Sequence, residues 1–129
     1  MPSLERLLET TGWVLADGAT GTNFFNRGLE TGYPPELWNV EHPDEVTALH
    51  AYFIEAGSQL VLTNSFGGNA HRLKLHNAQD RVHEMNSAGA RIARHAADDG
   101  RDRTGREVVV AGSKGANRRA VCPHGCARL

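Results

Sequence analysis

Apolar residues along this chain recur at helical spacing, then gather in short runs, then return to helical spacing. Leu4, Leu7 and Leu8 share one face behind Ser3, whose hydroxyl can cap a helix, so a short helix is predicted through about Thr10 with Gly12 ending it. Trp13–Ala16 reads as a first, buried strand. Residues 17–42 read mostly as loop, punctuated by Gly28, Gly32, Pro34 and Pro35, yet Phe24, Phe25, Leu29 and Trp38 make the stretch unusually apolar. Such an insert either covers a functional site or packs over the end of a sheet. Pro43-Asp44-Glu45 opens a helix as proline and acids do at an N-terminus, and Val46, Leu49, Phe53 and Ala56 form its buried stripe up to Gly57. A second strand is predicted over Gln59–Thr63. Helices follow over Asn69–Leu75 and Ala78–Ala97, the latter with Val82, Met85, Ile92 and Ala96 on one side. Asp98–Gly105 reads as a polar turn, and the valine-rich run Glu107–Gly112 as a third strand of the kind buried in parallel sheets.

Strand and helix alternate, which predicts a parallel α/β sheet. The 129 residues, 40% hydrophobic and 22% charged, suit a soluble globular chain. A net charge of −1 offers nothing to nucleic acid or to an acidic membrane surface. No apolar run approaches the ~20 residues of a membrane span, and the N-terminus lacks a basic-then-apolar secretory design, so a cytoplasmic location is expected. Two cysteines, both near the end, make no disulfide framework.

Two runs carry the chemistry. Trp13-Val14-Leu15-Ala16-Asp17-Gly18-Ala19-Thr20-Gly21-Thr22 is a strand that ends in a carboxylate and a Gly-rich loop, the way α/β proteins present polar groups at the carboxyl edge of a sheet. A tight turn with Asp17 as a helix cap is the plainer alternative. Gln59-Leu60-Val61-Leu62-Thr63-Asn64-Ser65-Phe66-Gly67-Gly68 again ends a strand in polar residues and glycines. Together with Pro35-Glu36-Leu37-Trp38-Asn39 and Glu41-His42-Pro43-Asp44, these runs resemble the homocysteine S-methyltransferase family, most closely its bacterial betaine–homocysteine S-methyltransferases, from about Leu7 to Ser113. The resemblance implies an α/β fold: the first three βα units of a (β/α)8 TIM-type barrel, truncated, since the usual barrel needs about 250 residues. Residues 1–113 would be the N-terminal part of the homocysteine-binding barrel and 114–129 an anomalous tail.

By the same resemblance, a methyl group passes from betaine to the sulfur of homocysteine, giving methionine. The thiolate is the nucleophile, and a zinc ion held by three cysteines in full-length relatives takes and deprotonates the sulfur. Those cysteines come from later strands, so no zinc is expected to bind this chain, which is expected to be inactive, and no catalytic residue or metal ligand is assigned. Asp17 matches the family acid that holds the homocysteine amino group, and the loop of Gly18, Ala19 and Thr20 offers backbone amides to its carboxylate. Thr63, Asn64, Ser65 and Phe66 fall on the same face. Asn64 either bonds the substrate or ties two loops together. An aromatic lining would suit a quaternary ammonium donor. The alternatives are a donor of S-methylmethionine or methylfolate type, and a non-catalytic fragment acting through a protein partner, with self-association along an exposed sheet edge.

The tail departs from the family pattern after Ser113. Codons can be chosen for residues 115–129 that, read one base later, spell Gly-Pro-Thr-Gly-Glu-Leu-Phe-Ala-Pro-Met-Gly-Ala-Leu-Asp, close to the family's continuation, so a one-base slip near codon 114 is expected. Cys122-Pro123-His124-Gly125-Cys126 offers two thiolates and an imidazole but no fourth zinc ligand nearby, and reads as accidental. The remaining histidines (His42, His50, His71, His76, His83 and His95) are expected mostly on helix surfaces or in loops.

Overall fold

Three extended segments run parallel, each separated from the next by helix. The computed structural model describes residues 3–115, so Cys122, His124 and Cys126 lie outside the described residues. Strand β1 (Leu60–Leu62) pairs with β2 (Val109–Ala111) in the register Leu60↔Val109, Val61↔Val110 and Leu62↔Ala111. On the other side of β1, the predicted first strand is reduced to a single parallel bridge between Ala16 and Leu60. Trp13 and Leu15 are 63% and 46% exposed, so that segment is not the buried strand its composition suggests. Among the described residues it pairs on one side only, through that single bridge, and strand composition alone does not bury it.

Helix α1 (Leu4–Thr11) starts as expected, with Ser3 Oγ accepting from Arg6 N at 3.2 Å, and ends at Gly12. Half of the stretch 17–42, expected to be mostly loop, is helical. It folds into α2 (Gly21–Asn26), a 3₁₀ turn (Pro35–Leu37) and α3 (Trp38–Glu41). Its apolar residues divide. Phe24, Leu29 and Trp38 pack with Val46 and Leu49 of α4 (Pro43–Glu55), the Phe24 and Trp38 rings lying 5.2 Å apart, whereas Phe25 stays exposed.

Helices α4 and α6 (Val82–Thr104) pack along each other and against β1. Ile54, Val61, Ala96, Ala97 and Val108 form the core they share with the sheet. A further cluster joins Leu37, Leu73, Ala78 and Met85, anchoring the short helix α5 (Ala70–Leu73). The buried stripe of α4 is Val46, Leu49, His50 and Ile54; Phe53 is half-buried and Ala56 exposed, contrary to the predicted stripe. The predicted turn at 98–105 is instead the last part of α6. Ion pairs at helical spacing, Arg94–Asp98 at 3.0 Å and Arg103–Asp99 at 2.9 Å, carry the helix through these polar residues. It ends at Gly105, whose φ of 72° a side chain would strain and whose N–H closes on Arg101 O at 2.8 Å. Among the described residues no helix is long and apolar enough to cross a membrane.

His50 is the histidine that departs from expectation. It is buried in α4, its Nε2 has no partner among the described residues, and burial lowers its pKa from 6.5 to about 4. The folded chain therefore holds it neutral where the unfolded chain would protonate it. Stability should decline by roughly 3 kcal/mol as pH falls from 6.5 to about 4, and this contribution is nearly complete below that. Urea unfolding of the wild type and His50→Leu at pH 7 and pH 4 checks it: the wild type should lose about that much more than the variant. Equal losses would show that His50 is not held neutral.

Candidate functional site

Polar groups gather where β1, β2 and the Ala16 segment end. Asp17 follows the bridge directly, its N–H donating to Leu60 O at 2.9 Å. Its Oδ2 accepts the next free donor on β1, Leu62 N, at 2.9 Å, so the side chain continues the ladder where the backbone turns away. Asp17 is thus no helix cap, and α2 begins behind Thr20 without a side-chain cap. The other oxygen, Oδ1, is buried and has no partner among the described residues. Burial raises the Asp17 pKa above 3.8, against the lowering effect of the Leu62 N–H.

Past β1, Thr63 N donates to Ala111 O at 2.9 Å. Thr63 Oγ1 accepts from Ser113 N at 3.0 Å and lies 2.6 Å from Ser65 Oγ, which donates to Ser113 O at 2.7 Å. Since Ser65 spends its proton on Ser113, Thr63 donates to Ser65, and the two hydroxyls close a clasp between the ends of β1 and β2.

Asn64 is 5% exposed, and its amide nitrogen donates to Pro35 O at 2.8 Å and Asn39 Oδ1 at 2.9 Å. Asn39 answers by donating to Asn64 O at 2.7 Å and Met85 O at 3.1 Å. Of the two roles open to Asn64, the structure gives it the tie between loops. Gly89 of α6 permits this, because a Cβ there would stand 2.7 Å from Asn39 Nδ2. Glu36, also buried, accepts from Gly67 N at 2.6 Å. Glu36 and Asn39 carry part of the family resemblance, and the sequence by itself gives neither a place in the site. The available signal was a carboxylate and a carboxamide inside an otherwise apolar run, which must be hydrogen-bonded if buried.

These ties leave a cleft of about 470 Å³ between the 20–36 insert, the end of β1 and α5. Thr20, Thr63, Asn64, Ser65 and Phe66 line it, as do Phe25, Tyr33, Arg72 and His76, which sequence reasoning passed over as site residues. Asp17, Gly18 and Ala19 are not on its wall. A second hollow of about 640 Å³ shares Thr63, Ser65, Phe66 and Ser113 with it and extends toward Asn86 and Lys114. Among the described residues there is no cysteine and no grouping of three His, Cys, Asp or Glu able to hold a metal ion. They do not fit a zinc site.

A family model described as homocysteine S-methyltransferase matches residues 14–127. The methionine synthase of Mycobacterium leprae (strain TN) is 35% identical over 103 residues, 72% of this chain and 8% of that protein. The S-methylmethionine–homocysteine S-methyltransferase BHMT2 of Pongo abelii is 33% identical over 111 residues, 84% of this chain and 27% of that protein. Among solved structures, the oxidized form of the homocysteine methyltransferase MmuM from Escherichia coli matches with a TM-score of 0.74 at 26% identity, over 87% of this chain and 40% of that one. Its metallated form matches with a TM-score of 0.76 at 24% identity, over 96% of this chain and 47% of that one, and shows the same fold. The chain spans less than half the length of each of these relatives.

The reciprocal Asn39–Asn64 pair should behave as one unit. Asn39→Ala and Asn64→Ala should each cost about 2 kcal/mol or more, because each strands buried partners, and the double variant should cost less than the sum by more than about 1 kcal/mol. A double-mutant cycle by chemical denaturation measures this. Additivity within about 0.5 kcal/mol would deny the coupling.

Proposed function

The chain belongs to the homocysteine S-methyltransferase family, a family of methyltransferases, and from that premise we propose that it carries the homocysteine-binding first part of a methyl-transfer site built on a (β/α)8 barrel. The observation that carries this reading is Asp17. A buried carboxylate oxygen without a partner is costly unless a donor arrives, and an ammonium group is such a donor. The backbone N–H groups of Gly18, Ala19 and Thr20 also donate to nothing among the described residues. Three successive backbone donors following Asp17 in the chain suit the carboxylate of the same α-amino acid. The hydroxyls of Thr63 and Ser65 and the amide of Asn64 are spent on protein partners, so their part is to shape the wall.

Binding and orientation are the chemistry these residues supply: the amino acid's two charged ends are fixed, which leaves its sulfur chain free to reach a donor. We take that donor to be betaine, since the sequence resembles the betaine-dependent members and the aromatic faces of Phe25, Tyr33 and Phe66 on the cleft suit a quaternary ammonium. S-methylmethionine is the second reading. The Pongo abelii relative named for that donor favours it, and a sulfonium would use the same faces.

Asp17→Asn separates binding from folding, because the Asn oxygen still accepts from Leu62 N while the charge is gone. L-Homocysteine affinity, by calorimetry at pH 7, should fall about 10- to 100-fold with the melting temperature little changed. In the wild type, affinity should also decline as pH falls through the raised Asp17 pKa, whereas the variant should show no such decline. Equal affinity in both proteins would overturn the assignment.

A further inference from the structure

We propose that Arg72 forms a second anion subsite, holding the carboxylate of a small onium methyl donor in the cleft. This rests on the homocysteine assignment above, because it takes Asp17 to Thr20 as already engaged. Of that loop only Thr20 reaches the cleft wall, so the cleft is a separate space with its own ligand requirements.

Arg72 is exposed, but the turn that carries it is fixed. Asn69 Oδ1 caps α5 by accepting from the Arg72 backbone N–H at 3.0 Å, and the next residue, Leu73, is 1% exposed in the cluster with Leu37 and Met85. The turn is thereby pinned while its guanidinium stands over the Phe66 ring, 6.0 Å from the centroid. That guanidinium makes no ion pair or hydrogen bond with any described residue. Its forked donors are therefore free for a carboxylate, which they match in two parallel hydrogen bonds. The other formal charge on the wall, Glu36, is committed to Gly67 N. A cleft with aromatic faces, a buried acid and a free guanidinium complements a zwitterion that joins an onium head to a carboxylate. Betaine and S-methylmethionine both have that chemistry.

The test is an NMR titration of the chain with four probes: glycine betaine, S-methylmethionine, choline and L-homocysteine. The wild type should bind at least one of the two onium carboxylates more tightly than choline, which lacks the carboxylate. Arg72→Gln should weaken that ligand about 10-fold or more, bring it level with choline, and leave L-homocysteine within about two-fold. Arg72→Lys should restore only part of the loss, since it keeps the charge without the fork. Which of the two onium carboxylates binds identifies the donor. Binding of neither, or an unchanged affinity in Arg72→Gln, would overturn the subsite. So would a loss of L-homocysteine in Arg72→Gln, which would assign the guanidinium to the amino acid instead. Failure of the Asp17 assignment reads out separately, as an L-homocysteine affinity that Asp17→Asn does not change.

Discussion

Four hydrogen bonds from two buried carboxamides hold the 35–39 segment, the end of β1 and helix α6 in one arrangement. Each bond is worth only about 1 kcal/mol net, but a carbonyl left without its partner in this interior costs more, so the set is all-or-none. Apolar packing of Phe24, Leu29 and Trp38 holds the insert on α4, and the carboxamide pair fixes its 35–39 part against the strand end. With the pair in place, Glu36 reaches Gly67, Tyr33 and Phe25 face α5, and a cleft remains between them. Gly89 is the concession α6 makes to this, since a methyl group at that position would meet the Asn39 amide.

In the proposed reading, one side chain, Asp17, serves fold and ligand together. Its Oδ2 replaces a backbone carbonyl in the parallel ladder, which fixes the carboxylate without a neighbouring cation among the described residues. The rigidity leaves Oδ1 buried and unspent, and burial lifts the pKa. A binding group held in advance by the sheet costs little ordering when its ligand arrives.

Much of this was legible in the sequence wherever one periodic signal was backed by punctuation. Pro43-Asp44-Glu45 and Ser3 located helix starts, and the apolar runs located β1 and β2. The two strand-end runs, with Pro35–Asn39, carried the family. What misled was local propensity overruled by context. Trp13–Ala16 has strand composition but a single pairing neighbour, and Asp98–Arg103 has turn composition but ion pairs at helical spacing. His50 and Glu36 look like surface residues until tertiary packing buries them. Asn64 had two chemically sound roles, and only its distance to Asn39 could choose between them. Arg72 carries no sequence mark, because the role proposed for it rests on its lacking a partner among the described residues.

Everything proposed for this chain depends on the Asp17–Thr20 turn receiving an α-amino acid. Titrating uniformly ¹⁵N-labelled chain with L-homocysteine tests it most directly. The backbone amides of Gly18, Ala19 and Thr20 should shift together and saturate with one affinity, while the Asn64 side-chain amide, already committed to Pro35 and Asn39, barely moves. A titration that leaves those three amides still, or moves the Asn64 amide in their place, would contradict it.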